Sequence, residues 1–126
     1  MSKGYIYRKR SEAPVAQSKC GASTRIITVE DTPVANLHVT HITDSVKHYH
    51  KNCTEYYYIL EGHGWMELGE DVVELEPGVT ILIEPMTPHR AYGDITTIVF
   101  GVPAWKHDDE FYLTDIPELA TTAVKS

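Results

Sequence analysis

Two histidines separated by one residue, His48 and His50, are followed five positions later by Glu55. Imidazole nitrogens and a carboxylate oxygen are the ligand types that hold divalent transition metals. Residues two apart on a strand point to the same sheet face, so a β conformation puts both imidazoles on one side. If Lys51 to Thr54 make a tight connection, Glu55 comes back to face them. A third histidine, His89, lies 39 positions after His50 and opens another strand-like run. Three neutral imidazoles and one carboxylate suit one divalent ion of iron, manganese, zinc, nickel or copper. Four protein ligands on a six-coordinate ion leave two positions for water, substrate or dioxygen, the arrangement of a catalytic site rather than a closed structural one.

Such ligands need strands to position them, and the chain has the pattern of an all-β protein. From Arg25 onward, short β-branched or aromatic runs are broken by Gly, Pro, Asp and Asn. Strands are predicted at Arg25–Val29, Ala35–Ile42, Val46–His50, Glu55–Glu61, Gly64–Leu68, Val72–Leu75, Val79–Ile83, His89–Tyr92 and Ile95–Val102. Gly69-Glu70-Asp71 reads as a hairpin turn and Glu76-Pro77-Gly78 as a type II turn. Val79–Ile83 is apolar on both faces and is predicted to be central and covered. So many one-sided strands require a sandwich or a small closed barrel. Residues 1–24 read as an irregular N-terminal arm, 25–103 as the barrel and 104–126 as an acidic tail with a weak helical pattern near Ile116 to Ala120.

Composition narrows the partners. A length of 126 residues fits one domain, and 42% hydrophobic with 23% charged residues is ordinary for a globular protein. A net charge of −7 argues against nucleic acid or an anionic membrane as partner, though not against an anionic small substrate. No apolar run approaches the roughly 20 residues of a membrane helix. Neither a signal peptide nor a disulfide framework is expected, which points to a cytoplasmic protein with two reduced thiols, Cys20 and Cys53. Cys53 lies inside the ligand-bearing loop and is a minor candidate for sulfur ligation.

The ligand spacing resembles the cupin superfamily. Its first motif is Gly, five residues, HxH, three or four residues, Glu, six residues, Gly; His48, His50, Glu55 and Gly62 match, and Ile42 stands at the leading glycine. Its second motif is Gly, five residues, Pro-x-Gly, two residues, His, three residues, Asn. Gly78 and His89 match, while Glu84, Met86 and Gly93 replace Pro, Gly and Asn, and Pro85 falls one place late. The departures concern turn geometry rather than ligands. The 15 residues between Gly62 and Gly78 match the short spacing of small single-domain cupins, and the resemblance runs from about Val34 to Pro103.

The resemblance implies a jelly-roll β-barrel that binds its metal through His48, His50, Glu55 and His89 and pairs as a homodimer. It implies an enzyme acting on a small oxygenated molecule, with dioxygenase chemistry favoured. The alternatives are a metal-dependent isomerase, epimerase or lyase on a sugar or sugar-phosphate-like substrate, and a non-catalytic small-molecule-binding protein. A DNA-binding regulator is disfavoured, since the chain has no room for a helix-turn-helix. Tyr57 has the parity of Glu55 and is expected in the pocket, with Tyr56 and Tyr58 packing elsewhere. His41 shares a face with Leu37 and Val39 and is a candidate acid, base or ligand-orienting group. Met66 is a pocket candidate, set against Trp65 on the other face. His38, His63 and His107 read as surface residues, Arg90 as pointing away from the metal, and Asp108-Asp109-Glu110 as a solvated tail.

Overall fold

The computed structural model describes residues 3–113 of the chain, so the helical pattern expected near Ile116 to Ala120 lies outside the described residues. Among the described residues nine strands form one curled antiparallel sheet. They are β1 (Val15–Ser18), β2 (Gly21–Ile27), β3 (Asn36–Asp44), β4 (His48–Tyr49), β5 (Thr54–Leu68), β6 (Asp71–Leu75), β7 (Thr80–Ile83), β8 (His89–Val102) and β9 (Phe111–Tyr112). The all-β jelly-roll expectation holds. Among the described residues no helix is long and apolar enough to cross a membrane.

Two long strands carry the architecture. β5 and β8 pair antiparallel from Thr54 opposite Val102 to Leu68 opposite His89. One half of this ribbon is flanked by β3 and β7, the other by β4 and β6. The sequence reading splits each long strand in two at Gly62 and at Gly93-Asp94, but these are bends, not ends. An extra residue at Leu60 shifts the register between Ile59 and Glu61, which turns the inward parity over. Ile59 is buried, Glu61 is exposed, and Gly64 and Met66 are buried again. Gly62 sits at φ +87°, and a Cβ there would overlap the carbonyl oxygen of Asp94 across the ribbon. Bent in this way, the two halves enclose a core of Ile42, Ile59, Met66, Leu75, Ile83 and Ile95 with their neighbours.

The sheet reaches beyond the limits expected from sequence. β1 and most of β2 fall within the expected arm, and β9 falls within the expected tail. Their periodicity is weak because β1 is an exposed edge strand and β9 is only two residues, held by pairing with β4. The segment before β1 docks through Arg8, whose guanidinium donates to both carboxylate oxygens of Asp31 and to the Ile26 carbonyl, each at 2.7 Å. Val79–Ile83 is also corrected. β7 begins at Thr80, pairs only with β5, and leaves Leu82 half exposed.

Gly62→Ala is expected to destabilise the fold by about 2–4 kcal/mol, since it adds positive-φ strain to a backbone overlap. Denaturant unfolding reads this directly, and a change below about 0.5 kcal/mol would show that the bend does not depend on glycine.

Candidate metal centre

His48 and His89 are brought together by strand pairing, as direct partners in the short β4–β8 ladder. His50 follows β4 by one residue. Glu55 enters from β5, where it lies between Gly101 of β8 and Ile83 of β7. All four side chains are buried, and one ligand atom from each lies within 4.8 Å of the others.

Backbone carbonyls fix the orientation of the three imidazoles. Nδ1 of His48 donates to the Val46 carbonyl at 2.8 Å, Nδ1 of His50 to Asp109 at 2.7 Å, and Nδ1 of His89 to Thr87 at 2.9 Å. Committing each Nδ1–H to a carbonyl turns the Nε2 lone pair toward the common centre, as metal-binding histidines require. Nε2 of His50 and of His89 lie 3.1 and 3.2 Å from Oε1 of Glu55. Both contacts are near in distance but off the hydrogen-bonding angle, so these three buried atoms have no hydrogen-bond partner. Atoms that converge on a shared point without satisfying one another are the expected state of a ligand set. The residues present therefore fit a divalent transition metal.

Charge follows from this crowding. Burial works to raise the Glu55 carboxyl, but the adjacent His50 and His89 outweigh it and hold it well below the usual carboxylate range. Burial would lower His50, yet Glu55 and the Asp109 carbonyl push it up to about 9. His48 is pushed down to about 3, chiefly by burial and then by His89. A divalent cation held here would take the place of the proton on His50.

The connection after His50 is held from a distant part of the chain. The Asp109 carboxylate accepts the backbone N–H groups of Lys51, Asn52 and Cys53 at 2.9, 3.2 and 3.0 Å. Asp109 is thus buried and structural, not part of a solvated acidic tail. A second tie comes from Met86, whose N–H donates to the His50 carbonyl at 2.7 Å. Met86 holds φ +70°, so the position where the motif has glycine keeps a glycine-like backbone despite its side chain.

Above the ligands opens a cavity of about 550 Å³, whose lining includes His48, Glu55, Tyr57, Cys20, Glu110 and Tyr112. Tyr57 stands in its wall. The Cys20 thiol lies 3.7 Å from Nε2 of His48, and the Tyr112 hydroxyl donates to Glu110. Burial pushes the Cys20 thiol far up and the Tyr57 hydroxyl well above its ordinary value, so both keep their protons.

Some of the other expectations are corrected and some hold. His41 is exposed, with Nε2 2.7 Å from Asp94, so it does not face the pocket. His38 does, together with Asn36 and Thr40. Met66 is fully buried in the hydrophobic core and lines no part of the cavity. His107 is exposed, as read from the sequence, and also borders the cavity. Cys53 sits outside the ligand group, its thiol directed at the Thr54 carbonyl. Arg90 points away, into ion pairs with Asp44 and Glu67. His63 is at the surface beside Glu74.

A jelly-roll barrel with a buried three-histidine, one-carboxylate cluster at the floor of a cavity defines a small metal-binding barrel protein as a class. The Cupin domain family matches residues 37–96, and the fold is the jelly-roll barrel of that family. An uncharacterized protein of Methanocaldococcus jannaschii is 38% identical over 66 residues, 49% of this chain and 53% of that protein. The chain thus spans about half the length of the curated relative it matches. A solved protein from Planctomyces limnophilus superposes with a TM-score of 0.82 at 26% identity, covering 87% of this chain and 98% of that one. Pac13, a nucleoside dehydratase of Streptomyces, gives 0.76 at 18% identity, with 86% and 91% covered. Ectoine synthase from P. lautus gives 0.73 at 19% identity, with 85% and 88% covered.

Asp109→Ala is expected to cost about 2–3 kcal/mol in denaturant unfolding, because it strands three backbone donors that now reach a carboxylate. It should also lower metal content, and Asp109→Asn should keep part of both properties. An Ala variant with unchanged stability and metal content would remove Asp109 from the supporting structure.

Proposed function

We propose that this protein is a metal-dependent enzyme acting on a small oxygenated organic molecule held in the cavity above His48 and Glu55. The observation that carries this reading is the buried cluster with three unpartnered ligand atoms opening onto a cavity of about 550 Å³. A bound divalent transition metal supplies polarisation of a substrate oxygen and, if redox-active, dioxygen chemistry. The chain supplies the proton handling. Tyr57 and Cys20 keep their protons and can donate hydrogen bonds to a substrate oxygen, and Glu110, which accepts from the Tyr112 hydroxyl, lines the same cavity. Donors and an acceptor around one substrate favour proton-transfer chemistry, meaning elimination of water or isomerisation beside the held oxygen.

Oxygen insertion, favoured by the sequence, is the second reading. It draws support from the apolar part of the wall, where Ile42 and Val99 keep water from the floor. The fold is compatible with either reaction class. A cytoplasmic setting belongs to the same proposal, supported by the two unpaired thiols.

Elemental analysis of protein purified without added metal or chelator tests the reading. About one transition-metal ion per chain is expected in the wild type, and a loss of most of it in His50→Ala with the barrel still folded. Undiminished metal in His50→Ala would refute the ligand assignment. Oxygen uptake on enol and catechol substrates would select the second reading, and turnover of hydroxy acids or sugars without oxygen uptake would select the first. Full metal with no turnover on either panel would favour a binding protein.

The homodimer is part of the proposal. On the outer sheet face, Leu37, Phe100, Tyr56 and Leu82 form a row across β3, β8, β5 and β7. The last three of these side chains are well exposed, and Tyr58 and Val102 extend the apolar surface. A second copy covering this face would shield it from water. Light scattering at micromolar concentration should return twice the chain mass, and a monomer mass would count against it.

A further inference from the structure

The cavity wall away from the metal ligands carries two buried donors that nothing among the described residues satisfies. They are Nε of Arg25 and Nε1 of Trp105. Arg25 lies on β2 opposite His38 of β3, and its guanidinium stacks on the Trp105 ring at 4.9 Å. Trp105 is held in place in turn, because its backbone N–H donates to the Asn36 side-chain oxygen at 2.7 Å. The imidazole of His38 meets the Trp105 ring edge-on at 6.2 Å. Among the described residues no carboxylate lies within ion-pair distance of Arg25, although Arg8 and Arg90 both have such partners.

An unpaired guanidinium is unusual in a chain of net charge −7, where surface carboxylates are plentiful. Leaving a buried donor without an acceptor is costly, so two adjacent orphans represent a cost that a bound acceptor would recover. The position explains the pattern. Arg25, His38, Trp105 and His107 line both the cavity above the ligands and a second cavity of about 660 Å³ bordered by the segment from Tyr7 to Pro14. They form the wall shared by the two cavities. His38 is held down to about 4 by burial and by Arg25, so it adds no second charge beside the guanidinium.

We propose that Arg25 and the indole N–H of Trp105 form an oxyanion-binding subsite, and that the substrate of the metal centre carries a carboxylate or phosphate group seated there. This rests on the enzyme reading above and adds the substrate class to it. The guanidinium offers Nε–H to one oxygen and the indole N–H reaches a second, while the metal end is left to the reacting oxygen. A neutral substrate of the same size would leave both donors stranded, which is the basis for rejecting it.

The test is NMR of the full chain, with and without bound metal, following the Trp105 indole N–H and Arg25 Nε–H resonances. Inorganic phosphate, malonate and glycerol are titrated separately at constant ionic strength. At least one anion should move both resonances saturably, in the metal-free chain as well, and glycerol should move neither. The tighter of phosphate and malonate assigns the group as phosphate or carboxylate. Arg25→Gln should weaken that anion at least about tenfold, Arg25→Lys less, and Trp105→Phe several-fold. Thermal unfolding of each variant confirms that the barrel is folded. The proposal is overturned if neither anion moves these signals, or if Arg25→Gln and Trp105→Phe bind as tightly as the wild type. A chain that retains no metal but binds the anion through Arg25 would sink the metal reading and leave the subsite standing.

Discussion

A carboxylate at the bottom of a barrel has to be neutralised, and the arrangement around Glu55 is the solution to that requirement. Its side chain is almost fully removed from water, with two imidazole nitrogens 3.1 and 3.2 Å from one oxygen. An isolated buried carboxylate would be prohibitively costly, so the histidines are as necessary to Glu55 as Glu55 is to any metal. Each histidine is tied by Nδ1 to a main-chain carbonyl, which keeps all three rings from turning away. The protein's most expensive electrostatic feature and its candidate chemistry therefore share one place, and disturbing either disturbs both.

Everything that positions the cluster can be traced to the β5–β8 ribbon. β8 brings His89 to the end of the ribbon where β4 is paired, and β5 delivers Glu55 from the other end. The bend at Leu60 and Gly62 lets one ribbon serve both halves of the barrel. A straight ribbon would keep the two ends, and with them the ligands, apart. The glycines do not interrupt strands here; they let a strand turn a corner.

The ligands were legible because their spacing is local. His48 and His50 share parity, a four-residue connection returns Glu55, and His89 follows a turn whose glycine and proline are visible in the sequence. The β3 face was misread for a physical reason. Positions Asn36, His38 and Thr40 are polar because they line a cavity, whereas Leu37 and the buried Val39 on the opposite face of β3 are apolar. The usual rule that apolar residues point inward assigns His41 to the pocket and His38 to the surface, the reverse of what the structure has. Asp109 was illegible for another reason. Three acidic residues in a row look solvated, and only tertiary structure shows one of them receiving the N–H groups of a loop. Met66 does face the interior, but it packs into the hydrophobic core and not against the cavity, a difference that apolarity alone does not reveal.

The Asp109 contact also has a temporal meaning. The carboxylate that shapes the loop lies 56 residues downstream of Cys53, so the loop closed by this contact spans nearly half of the chain. Closing it costs more chain entropy than forming the β5–β6 hairpin, whose strands are joined by two residues. On the ribosome, residues 48 to 55 emerge well before the segment that completes their geometry. The ligand set is therefore finished late, after the barrel that holds it has nearly all been made.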